Sequence, residues 1–381
     1  MKKWIVGAAL LSSTAVLAQN TTNKEGSHYQ FTTIKNLDAF DVQNQGMTGT
    51  CWSFSGLSFF ESELLRMGKG QGLNLSEMYV VRTMYPLKAA NYVRMHGKAN
   101  FGEGGGFPDD LLCLRSYGMV PQSVYDGNKD KMYNHAEMES LLEGMVKTVG
   151  NSEKTINPSW QKAVDGVLNG YMGPAPEKFE YKGKSYTPQT FAKELGLNAD
   201  DYVIVTSFTH HPYYQQFVLE VPDNWAWEKV YNVPLEDMIG IAENAINTGY
   251  TVAWAADVSE KYFSFGDGLA VVPDKDWTEL TPEERKNLFI EPGTEKTITP
   301  EVRQHAFDDF ETQDDHGMHI VGLAKDQNGH KYFRVKNSWG TNNPGSGYFF
   351  ASEPYFAYKT TNIMVNKKAI PAEIAKKMGI K

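Results

Sequence analysis

The apolar pattern of residues 51–67 predicts a buried helix. The segment contains no proline, and Gly56 is its single glycine. Its large apolar side chains cover most of a helical circumference instead of one stripe, and they are Trp52, Phe54, Leu57, Phe60, Leu64, Leu65 and Met67. Gly68 is a typical residue for the end of a helix. We therefore expect a helix that begins near residue 51, ends at Gly68 and is covered by neighbours on several sides.

A second apolar pattern, near the other end of the chain, predicts a hairpin. Residues 316–323 and 331–336 are two largely apolar segments separated by the turn sequence Asp-Gln-Asn-Gly at 326–329. A hairpin places the start of its first strand close to the end of its second strand. His316 and Asn337 occupy those two places, so we expect their side chains to be neighbours.

The first 20 residues have the pattern of a secretory signal peptide. Lys2 and Lys3 precede an apolar run at 5–17, and the small residue Ala18 offers a cleavage site. We therefore expect a secreted or periplasmic protein after cleavage near Ala18. No later segment approaches the roughly 20 apolar residues that a membrane-spanning helix needs.

Composition and charge narrow the classes of partner. Acidic residues outnumber basic ones by 46 to 37, and no run of Lys or Arg is long enough to follow a phosphate backbone, so nucleic acid is not an expected partner.

The chain has two cysteines, Cys51 and Cys113, and can form at most one disulfide. Cys113 lies on an apolar helical face, which favours a buried core residue over a bridge to Cys51 or a second reactive thiol.

Cys51 has the sequence surroundings of a nucleophile. It stands at the predicted helix start after Gly46 and Gly49, where unpaired backbone N–H groups and the helix dipole favour a thiolate. Gln45 precedes it by six residues. Its side-chain amide and the backbone N–H of Cys51 are candidates for an oxyanion hole.

The hairpin supplies the general base that such a thiol requires. His316 would face Cys51 with one ring nitrogen while Asn337 holds the other, and Trp339 would shield that hydrogen bond from water. His319 is a competing candidate, but strand alternation places it on the opposite face. His316 and His319 together could also be metal ligands. A strand does not bring residues i and i+3 to one face, however, so we expect no metal.

Five segments in one order along the chain resemble the papain-like cysteine peptidases. They are Gln-Gly at 45–46 with Gly-Thr-Cys-Trp at 49–52, Leu-Ser-Glu at 75–77, Gly-Gly-Phe-Pro at 105–108, Asp-His-Gly at 315–317 and Asn-Ser-Trp-Gly at 337–340. The resemblance implies a two-lobed α+β fold, in which a helical lobe carries Cys51 and a β-barrel-like lobe carries His316 and Asn337. It implies peptide hydrolysis through a thioester, Gln45 as oxyanion donor, a substrate-binding wall at Gly105 and Gly106, and no cofactor.

The details are closest to the bleomycin hydrolase and aminopeptidase C branch of that family. Thr48 stands where many secreted relatives have a disulfide-bonded cysteine, and 265 residues separate Cys51 from His316 instead of roughly 130 to 150. In this branch an insertion helps to build a homo-oligomer, and the C-terminal tail lies in the cleft, where its carboxylate selects a free substrate amine. From this resemblance we expect an aminopeptidase acting on oligopeptides. The end of the tail differs here from the usual one of the branch, which makes an endopeptidase the first alternative. A non-catalytic peptide-binding protein is the second.

The same patterns give an expected domain organisation. The insertion is expected at 127–240, where polar segments contain helical stretches at 135–149 and 190–195. Thr281 and Glu284 predict the start of a short later helix. The expected parts are a signal peptide at 1–18, a helical lobe at 19–126, a helical or irregular insertion at 127–240, a β lobe at 241–365 and a tail at 366–381.

Overall fold

The protein is described by a computed structural model over residues 21–127 and 132–380. The predicted signal peptide therefore lies outside the described residues. Among the described residues, no helix combines the length and the apolar character needed to cross a membrane.

Helices and strands alternate irregularly along the described chain. The helices are α1 (Cys51–Arg66), α2 (Glu77–Arg94), α3 (Phe107–Ser116), α4 (Ala136–Gly150), α5 (Ser159–Met172), α6 (Pro188–Leu195), α7 (Leu235–Thr248), α8 (Pro282–Asn287), α9 (Pro300–Asp308), α10 (Glu353–Lys359) and α11 (Ala372–Lys377). The strands are β1 (Thr32–Asn36), β2 (Phe179–Tyr181), β3 (Lys184–Tyr186), β4 (Tyr202–Thr206), β5 (Gln216–Val218), β6 (Lys229–Asn232), β7 (Val252–Ala256), β8 (Phe263–Ser264), β9 (Leu269–Ala270), β10 (His316–Lys325), β11 (Lys331–Lys336), β12 (Tyr348–Ser352) and β13 (Thr360–Asn366).

Helix α1 is buried along most of its length, as its all-round apolar pattern predicts. Every residue from Trp52 to Leu64 is buried. One side of the helix packs against β10 and β7, and the other sides pack against α2 and α3. The helix ends at Arg66, with Met67 as its C-cap, close to the predicted end at Gly68.

Eleven described strands form the main sheet, and this sheet is open. Its order is β5, β6, β4, β13, β7, β10, β11, β12, β9 and β8, with β1 added to β10. The two outermost strands, β5 and β8, do not pair with each other. The β lobe is thus built on an open sheet where the resemblance had implied a barrel-like one. The predicted hairpin is confirmed, because β10 pairs with β11 in antiparallel register.

The two faces of this sheet contact different hydrophobic clusters. Alternate residues of β7 show the separation, since Ala253 and Ala255 face the cluster that contains α1 and α2. Trp254 and Ala256 face the cluster that contains α7. Strand β10 lies between these two clusters, which explains why its residues are buried from His316 to Ala324.

The range predicted as an insertion holds both helices and sheet strands. Helices α4 and α5 pack on each other and on α2 through stripes of buried residues, Met138, Leu142 and Val146 in α4 and Val164, Leu168 and Met172 in α5. Strands β4 to β6 of the main sheet also fall within residues 127–240. The predicted start of α8 is confirmed, since Thr281 and Glu284 form a reciprocal capping box.

The described tail packs on the sheet face opposite α1. Ile374 and Met378 are buried in the cluster that contains α7. The Lys377 ammonium donates to the hydroxyl oxygen of Tyr214 at 3.1 Å. Helix α11 is therefore held to the back of the sheet.

Candidate active site

Cys51 is the first residue of α1 and faces the cleft between the lobes. Its side chain is half-buried, while the next 13 residues are buried. Burial raises the pKa of the Cys51 thiol to about 12, although the backbone N–H groups of Gly317 and Trp52 oppose this by hydrogen bonding to sulfur. The negative charges of the nearby Asp223 and Asp314 also contribute to this rise. The thiolate bias expected from the helix end alone is thus outweighed by burial.

Gly317 allows β10 to approach the start of α1. A Cβ atom at this position would lie 2.6 Å from Ser55 Oγ and 3.2 Å from Trp52 Cα. Any larger residue would push the strand away from the helix. The glycine that follows His316 therefore allows the histidine and Cys51 to line one pocket.

His316 is oriented by Asn337, as the hairpin predicts. His316 Nε2 lies 2.7 Å from Asn337 Oδ1, and the Ser338 backbone N–H donates to the same oxygen at 2.8 Å. Because this atom accepts from the Ser338 backbone, His316 Nε2 is the donor and the neutral ring keeps its proton there. Nδ1 is then the nitrogen that can accept a proton.

Trp339 covers this pair. Its ring centroid lies 4.5 Å from that of His316, with 34° between the ring planes. Phe265 and Phe263 pack edge-on against Trp339 at centroid distances of 5.3 and 6.0 Å. Both His316 and Asn337 are buried, so their hydrogen bond is protected from competition by water.

The environment of His316 leads to a pH prediction. Burial lowers the pKa of His316, and the hydrogen bond to Asn337 and the charge of Asp315 oppose that shift. Neutral His316 is the form that accepts a proton, so activity should persist below the usual histidine pKa of about 6.5. We expect the acid limb of kcat/KM to have its midpoint below that value, and Asn337→Ala to move it lower still. A limb that moves upward in this variant would contradict the assignment.

Gln45 is held firmly in the loop before α1. Its side-chain Nε2 donates to the Thr48 carbonyl at 2.7 Å, and its Oε1 accepts from Ser338 Oγ at 2.6 Å. Its backbone N–H also donates to the Ser338 carbonyl at 2.9 Å. One hydrogen of the side-chain amide remains for another acceptor. Its role as an oxyanion donor remains a prediction.

One pocket is lined by both Cys51 and His316. Gly105 and Gly106 form part of its wall. A Cβ atom on Gly105 would lie 2.4 Å from Asp109 Oδ2 and 2.9 Å from the Trp52 ring. Gly105 therefore cannot carry a side chain without a clash with Asp109 and Trp52. As a result, its backbone lines the pocket.

His319 lies away from this pocket, on the other side of β10. Its Nδ1 is 2.9 Å from Ser58 Oγ, which also accepts from the Lys336 ammonium at 2.9 Å. Burial holds the pKa of His319 well below its ordinary value. The structure therefore gives His319 a buried hydrogen bond to α1, while His316 bonds to Asn337.

Cys113 is fully buried in α3 and both cysteines are free. A disulfide between Cys51 and Cys113 is thus absent, and the interpretation of Cys113 as a core residue is confirmed.

In the described part of the chain, one group has the composition of a metal site, formed by His210, His211 and Glu220. Both imidazoles already contact the Glu220 carboxylate, at 3.2 and 2.8 Å.

Several polar residues of the pocket were not anticipated from the sequence. Asp223, Asp314 and Asn362 line it together with Cys51. Asp314 stands next to the recognised Asp-His-Gly segment, which was a usable signal. Asp223 and Asn362 lie far from any motif.

The chain is similar to a family of peptidases, to curated aminopeptidases and to a solved structure. A family model described as the Peptidase C1-like family matches residues 171–380. The chain is 22% identical to aminopeptidase E of Lactobacillus helveticus over 87% of this chain and 82% of the relative. It is 23% identical to aminopeptidase C of Lactobacillus delbrueckii subsp. lactis over 89% and 82%. A solved structure, PepW from Lactobacillus rhamnosis, covers 91% of this chain over 84% of its own length, with 23% identity and a TM-score of 0.71. The likeness confirms the predicted two-lobed α+β fold.

Proposed function

The chain belongs to the Peptidase C1-like family, and on this premise we propose that it is a cysteine aminopeptidase that removes the first residue of oligopeptides. The observation that carries the proposal is the placement of Cys51 and the Asn337-bound His316 in one pocket between the lobes. The names of relatives matched over about four-fifths of their length, aminopeptidases E and C, support exopeptidase action.

The first half of the reaction forms a thioester. His316 Nδ1 takes the proton of the Cys51 thiol as sulfur attacks the peptide carbonyl carbon. A C–S bond forms and the carbonyl π electrons move to oxygen, where the Cys51 backbone N–H and the Gln45 amide are the proposed donors. The C–N bond then breaks, and His316 returns its proton to the departing amine.

The second half restores the thiol. Water attacks the thioester while His316 accepts one of its protons, and the C–S bond breaks to release the carboxylic acid. His316 then returns that proton to the sulfur of Cys51. Because the pKa of the resting thiol is raised, proton transfer to His316 has to accompany the attack. Asn337 supports this transfer by keeping the proton of neutral His316 on Nε2.

Matched fluorogenic substrates test the proposal. Leucine 4-methylcoumaryl-7-amide should be cleaved at least about 100-fold faster, in kcat/KM, than its N-acetylated counterpart. The reason is that an aminopeptidase uses the free amine to position the first peptide bond. A blocked decapeptide with an internal quencher serves as the endopeptidase control. Equal cleavage of free and acetylated substrates would overturn the aminopeptidase assignment.

An endopeptidase is the second candidate, and the position of the tail favours it. Of the tail residues that the structure describes, 366–380, none lines the pocket. A tail packed behind the sheet does not close the cleft to longer chains. Cleavage of the blocked decapeptide would select this candidate.

Export of the enzyme is also part of the proposal. Its support is the sequence pattern of the first 18 residues. The N-terminal residue of the mature chain is the measurement that decides it, and Gln19 is the expected result.

A further inference from the structure

Two carboxylates lie beside the candidate nucleophile and have no part in the proposed chemistry. Asp223 and Asp314 both line the pocket and are only partly buried. Both act electrostatically on the Cys51 thiol. The Asp223 backbone N–H donates to the Asp314 carboxylate, which places the two residues in direct contact.

Their neighbours leave room for a further donor. Asp223 Oδ1 accepts from Asn100 Nδ2 at 2.9 Å, and Lys88 is a nearby cation. Lys88 itself is buried and donates to the Gly104 carbonyl oxygen. A carboxylate has about four acceptor positions, so these contacts do not exhaust Asp223 or Asp314.

The other acidic residues of the pocket are committed to structural contacts. Asp315 accepts from the backbone N–H groups of Val258 and Ser259 at 2.9 and 2.8 Å. Asp109 is buried and accepts from the Trp225 indole at 3.0 Å. The carboxylates that face the pocket with acceptor capacity to spare are therefore those of Asp223 and Asp314.

Asn362 provides an independent sign of a missing ligand. Its side chain is 8% exposed and lines the pocket, yet its Oδ1 atom is buried without a hydrogen-bond partner. A buried oxygen of this kind costs free energy unless a donor reaches it. Strand β13 has a register shift just before Asn362, which pairs with Ala255 of β7, and such shifts re-aim side chains.

The geometry of peptide cleavage brings the substrate's α-ammonium group close to these side chains. The α-nitrogen of the first residue lies about 2.5 Å from the carbonyl carbon that sulfur attacks. A group that recognises this nitrogen must therefore lie within a few ångströms of Cys51. The resemblance implied the tail for this task, but the described tail residues Ile374 and Met378 pack behind the sheet. None of residues 366–380 lines the pocket, so we look for the acceptor among the pocket's own side chains.

We propose that Asp223, Asp314 and Asn362 Oδ1 bind the α-ammonium group of the substrate and so restrict cleavage to the first peptide bond. This inference rests on the proposed aminopeptidase function and names its amine-binding site. The apolar residues Leu219 and Val230 line the same pocket and would contact the first side chain.

Charge gives the site a second consequence. Burial, together with the negative charge of Asp223, raises the pKa of Asp314 to about 7. An ammonium group between the two carboxylates offsets this repulsion and reduces their effect on the Cys51 thiol. Substrate binding therefore favours the nucleophilic form of sulfur.

Isosteric variants test the site. Asp223→Asn and Asp314→Asn should each lower kcat/KM for leucine 4-methylcoumaryl-7-amide about 10- to 100-fold, mainly through KM, because a charge-assisted hydrogen bond is lost. Asn362→Leu should act in the same direction with a smaller effect. Cleavage of the acetylated substrate should be unchanged or faster, so the ratio between the two substrates should collapse. Asp274→Asn, an exposed acid outside the pocket, is the matched control.

The outcomes separate this inference from the proposed function. If the unaltered enzyme prefers the free amine and all three pocket variants keep that preference, the amine site is wrong while the aminopeptidase stands. If the unaltered enzyme shows no preference, both fail.

A measurement on the unaltered protein guards against variants that do not fold. Leucine amide should slow alkylation of Cys51 by iodoacetamide, and N-acetyl-leucine amide should not. Equal protection by both compounds, or protection by neither, would overturn the amine site.

Discussion

Replacing Cys51 by alanine is expected to reduce peptide hydrolysis at least about 10⁴-fold, which is the scale seen when a covalent nucleophile is removed. The reason is chemical, because alanine has no atom that can form the thioester. The side chain is small and half-buried at a helix start, so the folded structure should persist. Steady-state kcat/KM for leucine 4-methylcoumaryl-7-amide, with circular dichroism as the check on folding, measures the effect.

Cys113→Ala is the matched control for that variant. Its sulfur is fully buried in α3 and lies 3.7 Å from the Gly118 carbonyl oxygen. Removing it should cost about 1 kcal/mol of unfolding free energy and leave kcat/KM within about twofold. Retained activity in Cys51→Ala would overturn the mechanism, whereas strong loss in Cys113→Ala would mean that the second thiol has a role.

The free state of both cysteines changes how the cysteine count is interpreted. In an exported chain, two cysteines first suggest a single disulfide, but none joins them. Cys51 faces the cleft and has to remain reduced for the proposed chemistry. A thiol that faces a cleft is open to oxidation, so a reductant should raise the activity of aged enzyme.

The parts of the site that depend on local sequence could be predicted. The helix start fixes the position of Cys51, and the hairpin register fixes the meeting of His316 with Asn337. Gly317 could be recognised in the Asp-His-Gly segment, but its reason, the close approach to Ser55 and Trp52, required the packed structure.

Other parts depend on which distant segments meet, and the sequence does not contain that information in readable form. Asp223 is far from Asp314 in the chain, and a single aspartate in a loop, such as Asp223, has no sequence signature. The position of the tail follows from the burial of Ile374 and Met378 behind the sheet, which their apolar character alone does not locate. The effect of burial on the Cys51 thiol also exceeded the helix-end effect that the sequence suggested.

His316→Ala and His319→Ala should differ most in their effect on turnover. His316→Ala removes the group that accepts and returns the proton, so kcat should fall about 10³-fold or more. His319 contacts Ser58 and lies away from the pocket. Its removal leaves a buried hydroxyl with one partner fewer and a cavity, which should cost about 1 to 3 kcal/mol of unfolding free energy.

Measuring kcat and thermal unfolding for both variants distinguishes the two roles. We expect His316→Ala to lose turnover while it remains folded at the assay temperature. We expect His319→Ala to unfold at a lower temperature while it keeps most of its kcat well below that temperature. Since burial keeps His319 uncharged in the folded state, His319→Gln should recover part of the lost stability through a bond to Ser58. Full activity in His316→Ala together with loss of turnover in a folded His319→Ala would assign the base to His319.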